Sequence, residues 1–458
     1  MHEVVNPFDL SVIGSVPTHD WEAVDAFLAR AKELAEDRNA WMKPHERAAI
    51  LHRAAEIMQE RFEHLAMQVA AEGGKPLIDA RVEVARAING IELCIHEIGA
   101  LKGTEIPMGI TSAGDGRLAW TSREPIGPVV AVSAFNHPLN LIVHQVAPAV
   151  ATGCPVIVKP AGDTPLSAFE FIDILHEAGL PKEWAKAVVT PRDVSSKMVA
   201  DPRVAFFSFI GSAGVGWSLR SQLAPGARCA LEHGGVAPVI VDASADLEAA
   251  VPSLVKGGFY HSGQVCVSVQ RIFAHSSIID ELAAKMVPEV EALKVGNATA
   301  EDTECGPLIR PKECDRVAEW VDEAVAAGAT LLCGGEKLSD TTYAPTLLLN
   351  PPADVTISQN EVFGPVVCLY SYDDVDTAIA QANSLDVSFQ AAIYTNDLAG
   401  AMHTYRHINA SAVMVNDHSA FRTDWMPFAG LKQSGHGVGG IPYTCHEMTI
   451  EKMIVIKA

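Results

Sequence analysis

The chain is short of positive charge, long apolar runs and paired cysteines, and each shortage removes a class of function. Lys and Arg number 34 against 56 Asp and Glu, a formal net charge of −22. That balance argues against nucleic acid or an anionic membrane surface as partner, although a local basic pocket for a small acidic substrate can coexist with it. No stretch approaches the ~20 apolar residues of a membrane span. The opening MHEVVNPFDLSVIGSVP has neither the basic start nor the apolar core of a secretory signal. Nine cysteines (94, 154, 229, 266, 305, 314, 333, 368, 445) are scattered and never form a CxxC pair. An odd, dispersed set fits a reducing cytosol, so a cytoplasmic protein without disulfides is expected. The 17 histidines are equally dispersed, and no catalytic metal is expected. The GxGxxG dinucleotide fingerprint is also missing.

What is present is a chain of 458 residues, 48% hydrophobic, long enough for two or three domains. From Trp21 to about His96 apolar residues recur at three-and-four spacing, and one helical run ends at Gly73-Gly74. Short β-rich runs then alternate with amphipathic helices: GPVVAVSAF (127–135), PVIVKP (155–160), AKAVVT (185–190), VAFFSFIGS (204–212), and later APVIVD (237–242), QRIFAH (270–275), FQAAIYTN and SAVMVND. Such alternation predicts an α/β fold with two doubly wound lobes, divided near residues 228–236. Two segments fit neither lobe, about 112–126 and the β-rich tail TIEKMIVIK, and are expected to form an arm that pairs with another subunit.

Several residues could carry chemistry, each with a plainer reading beside it. Cys266 follows Gly263-Gln264, read as flexible, where a helix gives way to an apolar run; a buried structural thiol is the bland alternative. Gly211-Ser212 ends a strand before a helix, which suits a pyrophosphate or is a simple turn. Lys159 at a strand end could meet a ribose or solvent. Glu232, before Gly234-Gly235, could be a base with a raised pKa or an exposed loop acid. Asn136 could donate to an oxyanion or form a turn before His137-Pro138. Glu361 and Phe363 lie in what is otherwise a turn.

Taken in order, FNHPLN (135–140), VKP (158–160), FIGSAGVG (209–216), LEHGG (231–235), GQVC (263–266), EVFGP (361–365) and MPFAGLKQSG (426–435) resemble the aldehyde dehydrogenase superfamily, over nearly the whole chain. The resemblance implies that Cys266 attacks an aldehyde, that Asn136 and the Cys266 N–H hold the oxyanion, and that Glu232 activates the water that hydrolyses the thioester. It implies NAD or NADP as cofactor, with Lys159 and Glu361 at ribose positions, Ser212 at the pyrophosphate and Phe363 beside the nicotinamide. Phe135, Gly162, Gly211, Val215 and Gly234 fall in the same cofactor-binding motifs. It also implies a homodimer or homotetramer with a small aldehyde as its only other partner.

Three departures from the family pattern stand out. The usual LGGK reads His233-Gly-Gly-Val236, Ala429 replaces a common glycine, and Gly162 stands where NAD-preferring members carry a glutamate. The expected division is a cofactor domain (1–111 and 127–230), a catalytic domain (231–426) and an arm (112–126 and 427–458). NDHSAFRTDWMPF resembles lactaldehyde-type members, offering His418 and Arg422 to the substrate, with His137 beside Asn136. Val265 before the nucleophile favours a short neutral or hydroxylated aldehyde over a phosphorylated one; a carboxylate or sulfonate, if recognised, falls to Arg422. Arg271 reads as structural. A CoA-acylating semialdehyde dehydrogenase and a non-catalytic protein on the same fold are the alternatives, and the presence of Glu232, Cys266 and Asn136 speaks against both.

Overall fold

The computed structural model describes residues 1–457, so residue 458, the end of the expected arm, lies outside the described residues. Two sheets dominate. The first has six strands in the order Gly435–His436, Arg228–Glu232, Phe206–Ile210, Val129–Val132, Val156–Lys159, Ala185–Ala187, all parallel except the first. Alternate residues of its central strands face opposite layers. Val129, Ala131, Val156 and Val158 pack into one helical layer, and Val130, Val132, Ile157, Phe207 and Phe209 into another. A parallel sheet buried on both faces reads as the continuous apolar runs seen in the sequence.

The second sheet has seven strands in the order Thr330–Cys333, Thr346–Leu349, Val366–Tyr372, Arg271–His275, Pro238–Val241, Gln390–Tyr394, Ala412–Val415, with only the first pair antiparallel. Val239, Val241, Ile272 and Ala274 point to one side, and Ile240, Phe273, Ala391 and Ile393 to the other. The chain is therefore an α/β protein of two doubly wound lobes. A third, antiparallel sheet joins Thr449–Lys457 to Arg117–Pro125 and Glu105–Ile106.

Details differ from the sequence reading. The helical run ending at Gly73 is two helices, Pro44–Glu60 and Phe62–Gly73, broken at Arg61 (φ −104°, ψ 18°). An amino-terminal hairpin, His2–Val5 with Val12–Val16, was not expected. Within 427–458 only the last strand lies in the arm sheet; Gly435–His436 instead pairs with Leu231–Glu232 and Leu431–Lys432 with Val387–Ser388.

Candidate active site

A cavity of about 580 Å³ opens between the carboxyl end of the first sheet and the second lobe, where open α/β sheets receive ligands. Cys266, Glu232, Asn136, His137 and Arg422 line it, together with Phe135, Gly162, Gly211, Ser212, Val215, Gly234, Glu361 and Phe363. Two expected residues do not. Lys159 is turned so that its ammonium donates to the Pro160 carbonyl at 3.2 Å. His418 packs its Cβ against Gly257 behind the wall.

The turn carrying Cys266 is rigid, which corrects the reading of Gly263-Gln264 as flexible. His261, Ser262 and Gly263 take consecutive positive φ values of 50°, 55° and 68°. A side chain on Gly263 would strike the Gly364 carbonyl, so glycine is required there. Gln264 is buried. Its amide donates to the Pro307 carbonyl at 3.2 Å and accepts the Ile309 N–H at 3.0 Å, while its own carbonyl accepts from Asn136 Nδ2 at 2.9 Å. The oxyanion-candidate amide is thus fixed to the loop bearing the sulfur.

Glu232 ends its strand with its carboxylate against Gly439, where a Cβ would overlap it. The 435–439 segment therefore shapes the carboxylate's seat, a contribution the motif search missed. Burial pushes Glu232 up to about 7, with Arg422 opposing. Burial also pushes the Cys266 thiol up to about 12, Glu361 adds to this, and Arg422 opposes it. A protonated thiol and a carboxyl titrating near neutrality in one cavity can exchange a proton.

The rest of the cavity suits a dinucleotide. Ser212 precedes the helix Ala213–Arg220 with its side chain uncommitted, leaving backbone N–H groups at a positive helix end. Gly234 has no room for a Cβ because the Glu361 carboxylate lies there. Burial pushes that carboxyl up to about 8. Phe363 meets Phe135 edge-on at 5.7 Å. Gly162 presents no carboxylate, and its neighbour Asp163 is committed to Arg310 through Oδ1 at 2.7 Å and a second short contact.

Three arginines line the cavity, and two are neutralised. Arg310 pairs with Asp163; Arg86 grips Asp424 at 2.7 and 3.1 Å, a carboxylate shared with His144 at 2.7 Å. Arg422 lies 3.5 Å from the centre of the Phe428 ring, and its Nε meets no acceptor among the described residues. Sequence reading missed Arg86, Asp424 and Tyr260; the apolar helix pattern around Arg86 gave no hint that one arginine faces a cavity. Arg271 is structural, as expected, donating to the carbonyls of Val236 and Ala382 at 3.4 and 3.1 Å.

A thiol, a carboxylate and the start of a helix share one cavity beside two doubly wound lobes, an arrangement suited to nucleotide-dependent oxidation. The family model "Aldehyde dehydrogenase family" matches residues 1–454. A 3-sulfolactaldehyde dehydrogenase of Priestia aryabhattai is 36% identical over 99% of this chain and 94% of its own length. Aldehyde dehydrogenase 21 of Physcomitrella patens, solved with the product succinate, superposes with a TM-score of 0.96 at 35% identity, covering 100% of this chain and 95% of that one. Glyceraldehyde-3-phosphate dehydrogenase of Methanocaldococcus jannaschii, solved with NADP, gives 0.94 at 34% identity, covering 100% and 99%. The chain belongs to the aldehyde dehydrogenase family. It is an enzyme of the aldehyde dehydrogenase class.

Proposed function

We propose that the chain works through Cys266 and that its substrate is a short, hydroxylated aldehyde ending in a single negative charge. The observation that carries this reading is the placement of Cys266, Glu232, Asn136 and the unpaired Arg422 on one cavity. A guanidinium held at a half-buried site with no bonded acceptor favours an anionic ligand group. This moves the expectation from a neutral aldehyde toward a carboxylate or sulfonate. One free arginine beside the apolar Val265 matches a monoanion better than a phosphate.

In the proposed sequence Glu232 takes the Cys266 proton and the thiolate attacks the aldehyde carbon. The Asn136 amide and the Cys266 N–H stabilise the oxyanion of the thiohemiacetal. NAD(P)+, when bound, would supply the hydride acceptor. Glu361, Ser212, Gly211, Gly234, Phe135, Val215 and Phe363 would hold it, with Lys159 reaching a ribose only by changing rotamer. Once Glu232 has passed the thiol proton to solvent, it deprotonates the water that attacks the thioester, releasing the acid and the Cys266 thiolate. The lobes 1–111 plus 127–230 and 231–426 serve as cofactor and catalytic domains, 112–126 and the end of 427–458 as an arm for a homodimer or homotetramer, and the compartment is the cytoplasm.

The test is NAD(P)H formation with a panel of short aldehydes, with and without CoA. Acid product without CoA supports the reading. Strict dependence on CoA would replace it with the acylating reaction, and no turnover of any aldehyde would leave a binding role.

A further inference from the structure

The roles assigned above leave unused a chain of buried polar groups that ends at Tyr260. Lys75 is completely buried, on the turn after Phe62–Gly73, where Gly74 (φ 67°) is wedged between Pro7 and Pro307. Its ammonium pairs with Glu83, which is also buried, and reaches His137 Nδ1 at 2.5 Å. Glu83 is fixed in turn by the N–H groups of Leu139 and Asn140 at 2.9 and 3.0 Å. Glu83 Oε2 also lies 3.5 Å from Nδ1, but the Lys75 ammonium is the nearer group and can only donate, so Nδ1 accepts and the imidazole proton is assigned to Nε2. Burial and the Lys75 charge, opposed by Glu83, push His137 down to about 4, so the ring is neutral at physiological pH. Nε2 lies 3.2 Å from the Tyr260 hydroxyl and donates to it. The phenol oxygen is therefore engaged from behind, and its proton is left for the cavity that Tyr260 lines. Both nitrogens of His137 are used, so His137 itself has none to offer a substrate.

We propose that Tyr260 is a specificity-determining residue whose hydroxyl donates a hydrogen bond to an oxygen on the carbon next to the aldehyde, with His137, Lys75 and Glu83 as its positioning residues. The proposal rests on the aldehyde-oxidising reading above. Tyr260 belongs to the reacting end: its partner His137 directly follows Asn136, and Tyr260, Asn136 and Cys266 line the same cavity. Arg422 is left for the distal charge. An aldehyde without the oxygen strands the phenol proton against apolar substrate, and that loss discriminates.

The experiment compares lactaldehyde with propionaldehyde, which differ by that one hydroxyl, in wild type, Tyr260→Phe, His137→Phe and His137→Gln. In wild type kcat/KM should favour lactaldehyde by about tenfold or more. In Tyr260→Phe the ratio should fall to near one. His137→Phe should lower it by about threefold or more with the Lys75–Glu83 pair intact, and His137→Gln, whose amide can accept from Lys75 and donate to Tyr260, should restore most of it. A purely structural His137 would not show this split between Phe and Gln. Thermal unfolding checks that each variant is folded. A wild-type ratio near one, or a ratio unchanged in Tyr260→Phe, overturns the assignment of Tyr260 while the dehydrogenase reading stands. Turnover of succinic semialdehyde but of neither neutral aldehyde by wild type also overturns the assignment of Tyr260 while the dehydrogenase reading stands, and turnover of none of the three overturns that reading and the proposal with it.

Discussion

Glu361 Oε1 accepts the Gly235 N–H at 3.2 Å, and the same carboxylate occupies the space where a side chain on Gly234 would begin. The two glycines therefore fix the orientation of the acid that would hold a ribose. Gly234→Ala must displace it. The expected result is cofactor affinity reduced at least tenfold, about 1.4 kcal/mol, in a fluorescence titration with NADPH. An unchanged dissociation constant in a folded variant would remove Glu361 from the cofactor site.

Glu232→Gln should give one burst of reduced cofactor and then slow turnover, because acylation can proceed while thioester hydrolysis lacks its base. Cys266→Ala should give neither burst nor turnover, yet still bind cofactor. In wild type the rate should rise as pH passes about 7, where Glu232 loses its proton. Stability moves the other way. A carboxyl whose folded pKa exceeds its unfolded value binds an extra proton when folded, so stability falls as pH rises from about 4.5 to about 7. Glu232→Gln removes this slope and should be more stable than wild type at pH 8, by about 1–3 kcal/mol in denaturant unfolding. A steady-state rate unchanged by the substitution would refute the assignment.

The strands of both lobes were legible because sheets buried on both faces demand long apolar runs, as in VVAV, VIVK and PVIV. The grouping of Cys266, Glu232 and Asn136 on one cavity was legible because they sit on short motifs around glycine and proline. The contributions of Asp424, Arg86 and Gly439 were not. Each acts through a partner far away in the chain, Arg86 on Asp424 across 338 residues and Gly439 on Glu232, and such distant pairings leave no local pattern. Lys159 and His418 were expected at the site from the family resemblance, and their side chains point away from the cavity lining.

Cofactor choice should be relaxed. Gly162 offers no carboxylate to a ribose 2′-hydroxyl, and Asp163 is neutralised by Arg310, so nothing there repels a 2′-phosphate. NADP and NAD should support kcat/KM values of similar size. A preference for NAD beyond about a hundredfold, roughly 2.7 kcal/mol, would point to another excluding group.

The arm sheet exposes an apolar face. Leu118, Trp120, Ile454 and Ile456 share that face and are each at least 42% exposed, and an uncovered strand edge and face of this kind invites pairing. Wild type should be a dimer or tetramer by light scattering at micromolar concentration, and Trp120→Glu with Ile454→Glu should shift it toward smaller species. A monomeric wild type would contradict the role given to the arm.

Arg422 is the residue on which substrate charge should turn. Arg86 and Arg310 line the same cavity, but each already holds a carboxylate, whereas Arg422 rests on Phe428 with an unsatisfied Nε. Its planar fork can meet a carboxylate or sulfonate with two parallel bonds, and the same plane lies flat on the ring. Lysine can do neither. Arg422→Lys should therefore lower kcat/KM for succinic semialdehyde by about tenfold to a hundredfold, mostly through KM, and change lactaldehyde much less. Phosphonoacetaldehyde should be a poor substrate of the wild type, because its second charge meets Val265 and no second free guanidinium. A strong wild-type preference for phosphonoacetaldehyde would refute the single-charge pocket. Equal losses for lactaldehyde and succinic semialdehyde in Arg422→Lys would assign Arg422 to the support of Glu232, whose charge it already stabilises, rather than to the substrate.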